Sequence, residues 1–125
     1  GIPIDIISTG PDRDQTIVTA ESCTAGRLAT LLSDAPGAAE HLHGGFVTYT
    51  KANKTKSLGV SAALLQRKSA VCREVAVAMA EGALVQSPAT VAVSACSERA
   101  DGSERAVPWV AERQHGVASG RGDGI

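Results

Sequence analysis

Thr16-Ile17-Val18-Thr19-Ala20-Glu21-Ser22-Cys23-Thr24-Ala25-Gly26 is the stretch around which the rest of the chain is organised. Its β-branched run, Thr16–Thr19, suits a pleated strand. The run stops at a small residue, a carboxylate and a hydroxyl, and an apolar pattern at helical spacing follows at Leu28, Leu31 and Leu32. The stretch therefore predicts a strand over Thr16–Thr19, a tight turn, and a helix over Ser22–Ser33 that ends at Asp34-Ala35-Pro36-Gly37. Ser22 then falls where a strand's carboxyl end meets a helix's amino end. Two readings fit it. Ser and Thr are favoured N-caps because their side-chain oxygen accepts from an unpaired amide, worth about 1 kcal/mol. Alternatively, Ser22 is a nucleophile whose reaction oxyanion the helix amides stabilise. The G-x-S-x-G elbow of the hydrolases is absent.

Upstream, the alternating Ile2-Pro3-Ile4-Asp5-Ile6-Ile7 breaks at Ser8-Thr9-Gly10-Pro11-Asp12, so residues 1–15 read as an edge strand or an N-terminal arm. Downstream, Ala38–Leu42 suits one helical turn, and Phe46–Thr50 is rich enough in β-branched and aromatic residues to predict a second strand. Lys51–Leu58 predicts a short helix closed by Gly59, and Ser61 caps another over Ala62–Arg67. Arg73–Val85 carries the clearest helical stripe, at Val75, Ala78, Met79 and Gly82. Thr90–Ser94 predicts a buried third strand. Cys96–Arg105 is polar, Val107–Val110 is a brief apolar island around Trp109, and Glu112–Gly124 is glycine-rich without apolar periodicity, for which disorder is the expectation. The order strand, helix, strand, helix, helix, strand implies an α/β layered domain with a mostly parallel sheet. Ligands of such sheets sit beyond the strands' carboxyl ends, where Ser22 and Tyr49 both fall.

At 125 residues the chain is at most one domain, with 43% apolar and 20% charged residues. Phe46, Tyr49 and Trp109 are the only aromatics, so the core rests on Ala, Val, Leu and Ile. A formal net charge of −1 supplies no footprint for nucleic acid or an anionic membrane, and binding to neither is expected. Cys23, Cys72 and Cys96 have no C-x-x-C spacing, which argues against a disulfide framework or a zinc site and for a cytoplasmic setting. His41 and His43 are not at helical ligand spacing, so no metal is expected. No apolar run approaches the roughly 20 residues that span a bilayer, and Gly1–Asp14 does not read as a signal peptide.

Several stretches together resemble the C-terminal domain of the competence and damage-inducible CinA proteins. They are Thr19-Ala20-Glu21-Ser22-Cys23-Thr24-Ala25-Gly26, then Gly45-Phe46-Val47-Thr48-Tyr49-Thr50 with Lys54, Leu58-Gly59-Val60, Ala70-Val71 and Met79-Ala80-Glu81-Gly82-Ala83. The likeness covers residues 16–94. It implies a three-layer α/β/α fold and the activity of a nicotinamide-nucleotide amidase, which hydrolyses the carboxamide of nicotinamide mononucleotide to a carboxylate and ammonia without a cofactor. Carried over by position, Ser22 is the nucleophile, Lys54 the general base, and Tyr49 orients or relays the proton. Cys23, Thr24, Ala25, Gly26 and Gly45 become candidate substrate or oxyanion contacts. A free lysine, with a pKa near 10.4, is almost fully protonated at neutral pH, so this role requires Lys54 to be partly buried or close to another cation such as Lys51 or Lys56.

The chain also departs from the family pattern. Ala25 replaces the first of a Gly pair, a mild change by sequence; Lys51 stands for an Asn; and Ser69 and Cys72 replace a Gly and a Ser. The larger break follows the third strand, where Ser94-Ala95-Cys96-Ser97-Glu98-Arg99-Ala100-Asp101-Gly102 stands in place of the family's T-G-x-A-G-P loop. Residues 95–125 therefore read as a divergent, disordered tail, through a reading-frame slip near Ser94 or otherwise, with the sheet incomplete at its C-terminal end. An open sheet edge would favour a homo-oligomer. The competing functional expectation is a truncated remnant that binds a nucleotide or a partner without turnover.

Overall fold

The computed structural model describes residues 15–68, 73–98, 105–114 and 117–121. The arm expected over residues 1–15, except Gln15, lies outside these residues, as do the departures at Ser69 and Cys72, and Gly102. The elements are β1 (Ile17–Glu21), α1 (Arg27–Ser33), α2 (Ala38–His41), β2 (Leu42–Val47), α3 (Lys51–Leu58), α4 (Ala62–Arg67), α5 (Arg73–Val85), β3 (Val91–Glu98), β4 (Arg105–Gln114) and β5 (Val117–Arg121). They form one sheet of order β2-β1-β3-β4-β5. β1 pairs parallel with β2 and with β3, and β4 pairs antiparallel with β3 and β5, so every strand but β4 runs the same way.

The period of two along the central strands separates two cores. On one face, Ile17, Val91, Val93 and Ala95 pack under Leu28 and Leu32 of α1. On the other, Val18, Ala20 and Ala92 meet Leu58, Val60 and Leu65 beside Val75, Met79, Ala83 and Leu84 of α5. Both faces carry helices, which makes the three-layer α/β/α arrangement that the sequence implies. β1 is buried along its whole length, as a strand covered on both faces must be. Gly82 lets α5 approach α3, because a Cβ there would collide with the Leu58 carbonyl oxygen.

Helices α3, α4 and α5 match the expected bounds, and Gly59 and Ser61 close α3 and cap α4 as expected, while Thr50 caps α3 instead of ending a strand. The Thr50 hydroxyl accepts from Asn53 N at 3.1 Å, Ser61 Oγ accepts from Leu64 N at 3.3 Å, and Gly59 closes α3 at φ 68°. The second strand differs: it spans Leu42–Val47, because Thr50 is committed to capping α3. The third differs too, running on to Glu98 because β4 pairs along its whole length, from Val91↔Glu112 to Glu98↔Arg105.

That pairing corrects the expectation of a disordered tail over residues 95–125 where they are described: 95–98, 105–114 and 117–121 lie in strands, and the edge of β3 is covered. Two side chains tie β4 to the rest of the fold. Trp109 is buried beside Ala76, with the Arg73 guanidinium 5.1 Å from its ring centroid. Arg113 donates to the carbonyls of Leu84, of Ser87 at 3.0 Å and of Ala89 at 3.1 Å, placing a cation at the carboxyl end of α5.

Candidate functional site

The carboxyl ends of β1 and β2 lie side by side, with Glu21 opposite Val47 and Thr48 N donating to Glu21 O at 2.8 Å. Ser22 follows β1, and the chain from β2 turns through Tyr49 and Thr50 into α3. Lys54, on the first turn of α3, is held beneath this junction and is only 1% exposed. Its Nζ lies 3.0 Å from Ser22 Oγ and 3.3 Å from the Tyr49 carbonyl oxygen, donating to both. A hydroxyl and an amine 32 residues apart in the chain are thus in direct contact. The burial that a lysine base requires is present.

Ser22 is not the N-cap of α1. The helix begins at Arg27, later than the sequence suggests, and Gly26 is its N-cap at φ 102°. The delay has a backbone cause: Ala25, at φ 51°, is also left-handed, and two such residues in succession cannot lie in a right-handed helix. Ser22–Gly26 is a turn, closed by Ala25 N donating to Ser22 O and Arg27 N to Thr24 O, each at 3.0 Å. The N-cap reading of Ser22 therefore falls, and the hydroxyl points to Lys54 instead.

Of the proposed oxyanion donors, the Ala25 amide is taken up by that closure. The amides of Cys23, Thr24 and Gly26 have no hydrogen-bond partner among the described residues. Gly45, from the same group, sits within β2 opposite Thr19. A Cβ there would collide with Thr19 Oγ1, so close strand packing accounts for this glycine.

Tyr49 meets Lys54 through its backbone carbonyl, while its side chain is 67% exposed. The contact at the amine is thus made by the main chain, and the phenol stands at the surface. His41, with no metal role expected, places Nδ1 2.8 Å from the Gln15 carbonyl oxygen.

No role for Glu21 is evident from the sequence alone. The residue is fully buried, and its carboxylate accepts three hydrogen bonds: Oε1 from Thr24 Oγ1 at 2.6 Å and from Leu28 N at 2.7 Å, Oε2 from Ala29 N at 3.1 Å. The Gly26 N-cap has no side chain to offer α1, and the carboxylate takes that place from outside the helix. The signal available in the sequence is a helix start whose own cap is a glycine, preceded by a carboxylate with no other evident partner.

Ala25 is costlier than its sequence suggests. A left-handed residue with a Cβ is disfavoured by roughly 1–2 kcal/mol, and glycine's extra unfolded-state entropy returns about 0.5–1 kcal/mol of that. Ala25→Gly is therefore expected to stabilise the chain by about 0.5–1 kcal/mol, seen as a higher urea midpoint at an unchanged slope.

A serine and a buried lysine in contact at the carboxyl ends of parallel strands define an α/β protein with a Ser-Lys pair. Comparison with known proteins narrows this class: the family model described as CinA C-terminal domain matches residues 5–105, and the chain belongs to that family. It is 48% identical over 79 residues to a CinA-like protein of Chlorobium phaeobacteroides, a match covering 63% of this chain and 19% of that protein. With a CinA-like protein of Mycolicibacterium vanbaalenii it shares 49% identity over 80 residues, covering 64% of this chain and 19% of the relative. The chain thus spans about a fifth of the length of the curated relatives it matches.

Two crystal structures extend the likeness to the fold. A CinA superfamily protein from Escherichia coli superposes with TM-score 0.68 at 35% identity, over 85% of this chain and 64% of that one. The competence damage-inducible protein A from Klebsiella pneumoniae does so with TM-score 0.69 at 29% identity, over 87% and 71%. Among the described residues no helix is long and apolar enough to cross a membrane.

Proposed function

We propose that the chain is an amidohydrolase acting on the carboxamide of nicotinamide mononucleotide through an acyl-enzyme on Ser22. The observation that carries this reading is the 3.0 Å contact between Ser22 Oγ and Lys54 Nζ, with Lys54 buried. Burial disfavours an ammonium relative to the neutral amine, which is the form that can accept a proton.

In the proposed reaction the Ser22 hydroxyl gives its proton to the neutral Lys54 amine as Oγ attacks the carboxamide carbon. The carbonyl oxygen takes up the negative charge and is met by the turn amides of Cys23 and Thr24. The intermediate collapses by breaking the carbon–nitrogen bond, Lys54 returns the proton to the departing nitrogen, and ammonia leaves. Water then repeats the sequence on the ester, giving up its proton through Lys54 to Ser22 and releasing the carboxylate. The Tyr49 carbonyl accepts from the ammonium that forms in each half. The exposed Tyr49 phenol stands beside the same junction and is available to cover a bound pyridine ring.

Incubation of the chain with nicotinamide mononucleotide should release ammonia and nicotinate mononucleotide in equal amounts. Binding of the nucleotide with no release of either product would instead favour a non-catalytic remnant.

A further inference from the structure

Glu21, the last residue of β1, and Ser22, the first of the turn, have partners that belong to opposite faces of the sheet. The Glu21 carboxylate holds the amide groups that begin α1, whose apolar residues pack on one face; Ser22 Oγ meets Lys54 of α3, whose Leu58 packs on the other. The turn Ser22–Gly26 contains two left-handed residues and, among the described residues, is closed by two backbone hydrogen bonds, Ala25 N to Ser22 O and Arg27 N to Thr24 O. Such a turn is weakly determined locally, and the Thr24 hydroxyl, which lies within it, is also bound to Glu21 at 2.6 Å.

We infer that Glu21 is a positioning residue for Ser22: its carboxylate pins the turn from the far face of the sheet and thereby fixes Oγ against the Lys54 amine. The inference rests on the reactive Ser-Lys pair proposed above. The pinning requires a side chain with two acceptor oxygens. A glutamine presents an amide N–H₂ in place of one oxygen, toward groups that are themselves donors.

The test uses a fluorophosphonate, which reacts with an activated serine by forming an Oγ–P bond with loss of fluoride, the serine proton passing to the base. The full chain, Glu21→Gln and Thr24→Val are compared by labelling rate, with the labelled peptide identified by mass, and by kcat and KM for nicotinamide mononucleotide; circular dichroism reports folding. Glu21→Gln is expected to slow labelling and lower kcat by about 10²-fold with KM unchanged, the size of loss that a displaced reacting group gives. Thr24→Val, which removes one of the three bonds, should lower both in the same direction by a smaller factor. Labelling of folded Glu21→Gln at the wild-type rate, or a rise in KM alone, overturns the inference. If Glu21→Gln does not fold, Thr24→Val decides, and an undiminished rate in that variant overturns it equally. Wild-type chain that is labelled at Ser22 yet releases no ammonia refutes the amidase reading alone, whereas wild-type chain not labelled at Ser22 refutes both.

Discussion

Replacing Ser22 by Ala is expected to abolish ammonia release from nicotinamide mononucleotide, with a fall in kcat of about 10⁴-fold or more, as when the nucleophile of a serine enzyme is removed. The substitution deletes one oxygen. It leaves the Ala25 N to Ser22 O closure of the turn intact, since that bond uses the backbone, and it leaves Glu21 on its three donors. Binding of the nucleotide should therefore persist, measurable by calorimetry, while turnover disappears. Turnover surviving in Ser22→Ala would mean that water is activated directly and that no acyl-enzyme forms.

The second large effect concerns Lys54. Lys54→Met keeps the length and apolar stem of the side chain and removes the amine, so kcat should fall by about 10²–10⁴-fold, the usual share of a general base. Stability should respond in the opposite sense. Burying an amine carries a desolvation cost that a thioether does not, and well-packed apolar replacements of buried charged groups are often neutral or stabilising. Lys54→Met is accordingly expected to unfold at the same urea concentration as wild type or a higher one. Loss of both activity and stability would assign Lys54 a structural role at the junction of β1, β2 and α3. The pair of variants separates chemistry from architecture: Ser22→Ala removes the attacking atom, and Lys54→Met the group that takes its proton.

Much of the fold is legible in the sequence where the determining interactions are local. Helix α5 declares itself by its apolar spacing, and α3 and α4 by Gly59 and Ser61, residues whose capping chemistry operates within a few positions. Strands β1 and β3 announce themselves by β-branched runs, whereas β2 carries two glycines and one valine and begins upstream of the run that suggests it. Where the sequence misleads, the cause lies outside the local window. The start of α1 is displaced because Ala25 adopts a left-handed conformation that nothing in an alanine advertises. Strands β4 and β5 are obscured by glycines and charges, and their order comes from pairing with β3 and from Trp109 and Arg113 meeting α5 and its C-terminal loop, contacts distant in sequence.

The site divides in the same way. Ser22 is conspicuous because the turn between a strand and a helix is a recurrent place for chemistry, and Lys54 emerges only from the resemblance to the CinA C-terminal domain; spacing alone does not tell a buried lysine from the solvated Lys51 and Lys56 beside it. Glu21 goes unassigned because its function in the fold is to cap a helix from outside, seven residues before the Leu28 amide it holds. The Tyr49 atom that meets Lys54 is its carbonyl oxygen, a main-chain contact that side-chain identity does not encode.

The central claim is that Ser22 Oγ attacks the substrate after passing its proton to Lys54. Its most direct test is peptide mass mapping of wild-type and Lys54→Met chains quenched in acid during turnover of nicotinamide mononucleotide. An acyl adduct on the Ser22 peptide of the wild-type chain, formed much more slowly in Lys54→Met, is the predicted result; ammonia released with no adduct, or with the adduct on another residue, would contradict it.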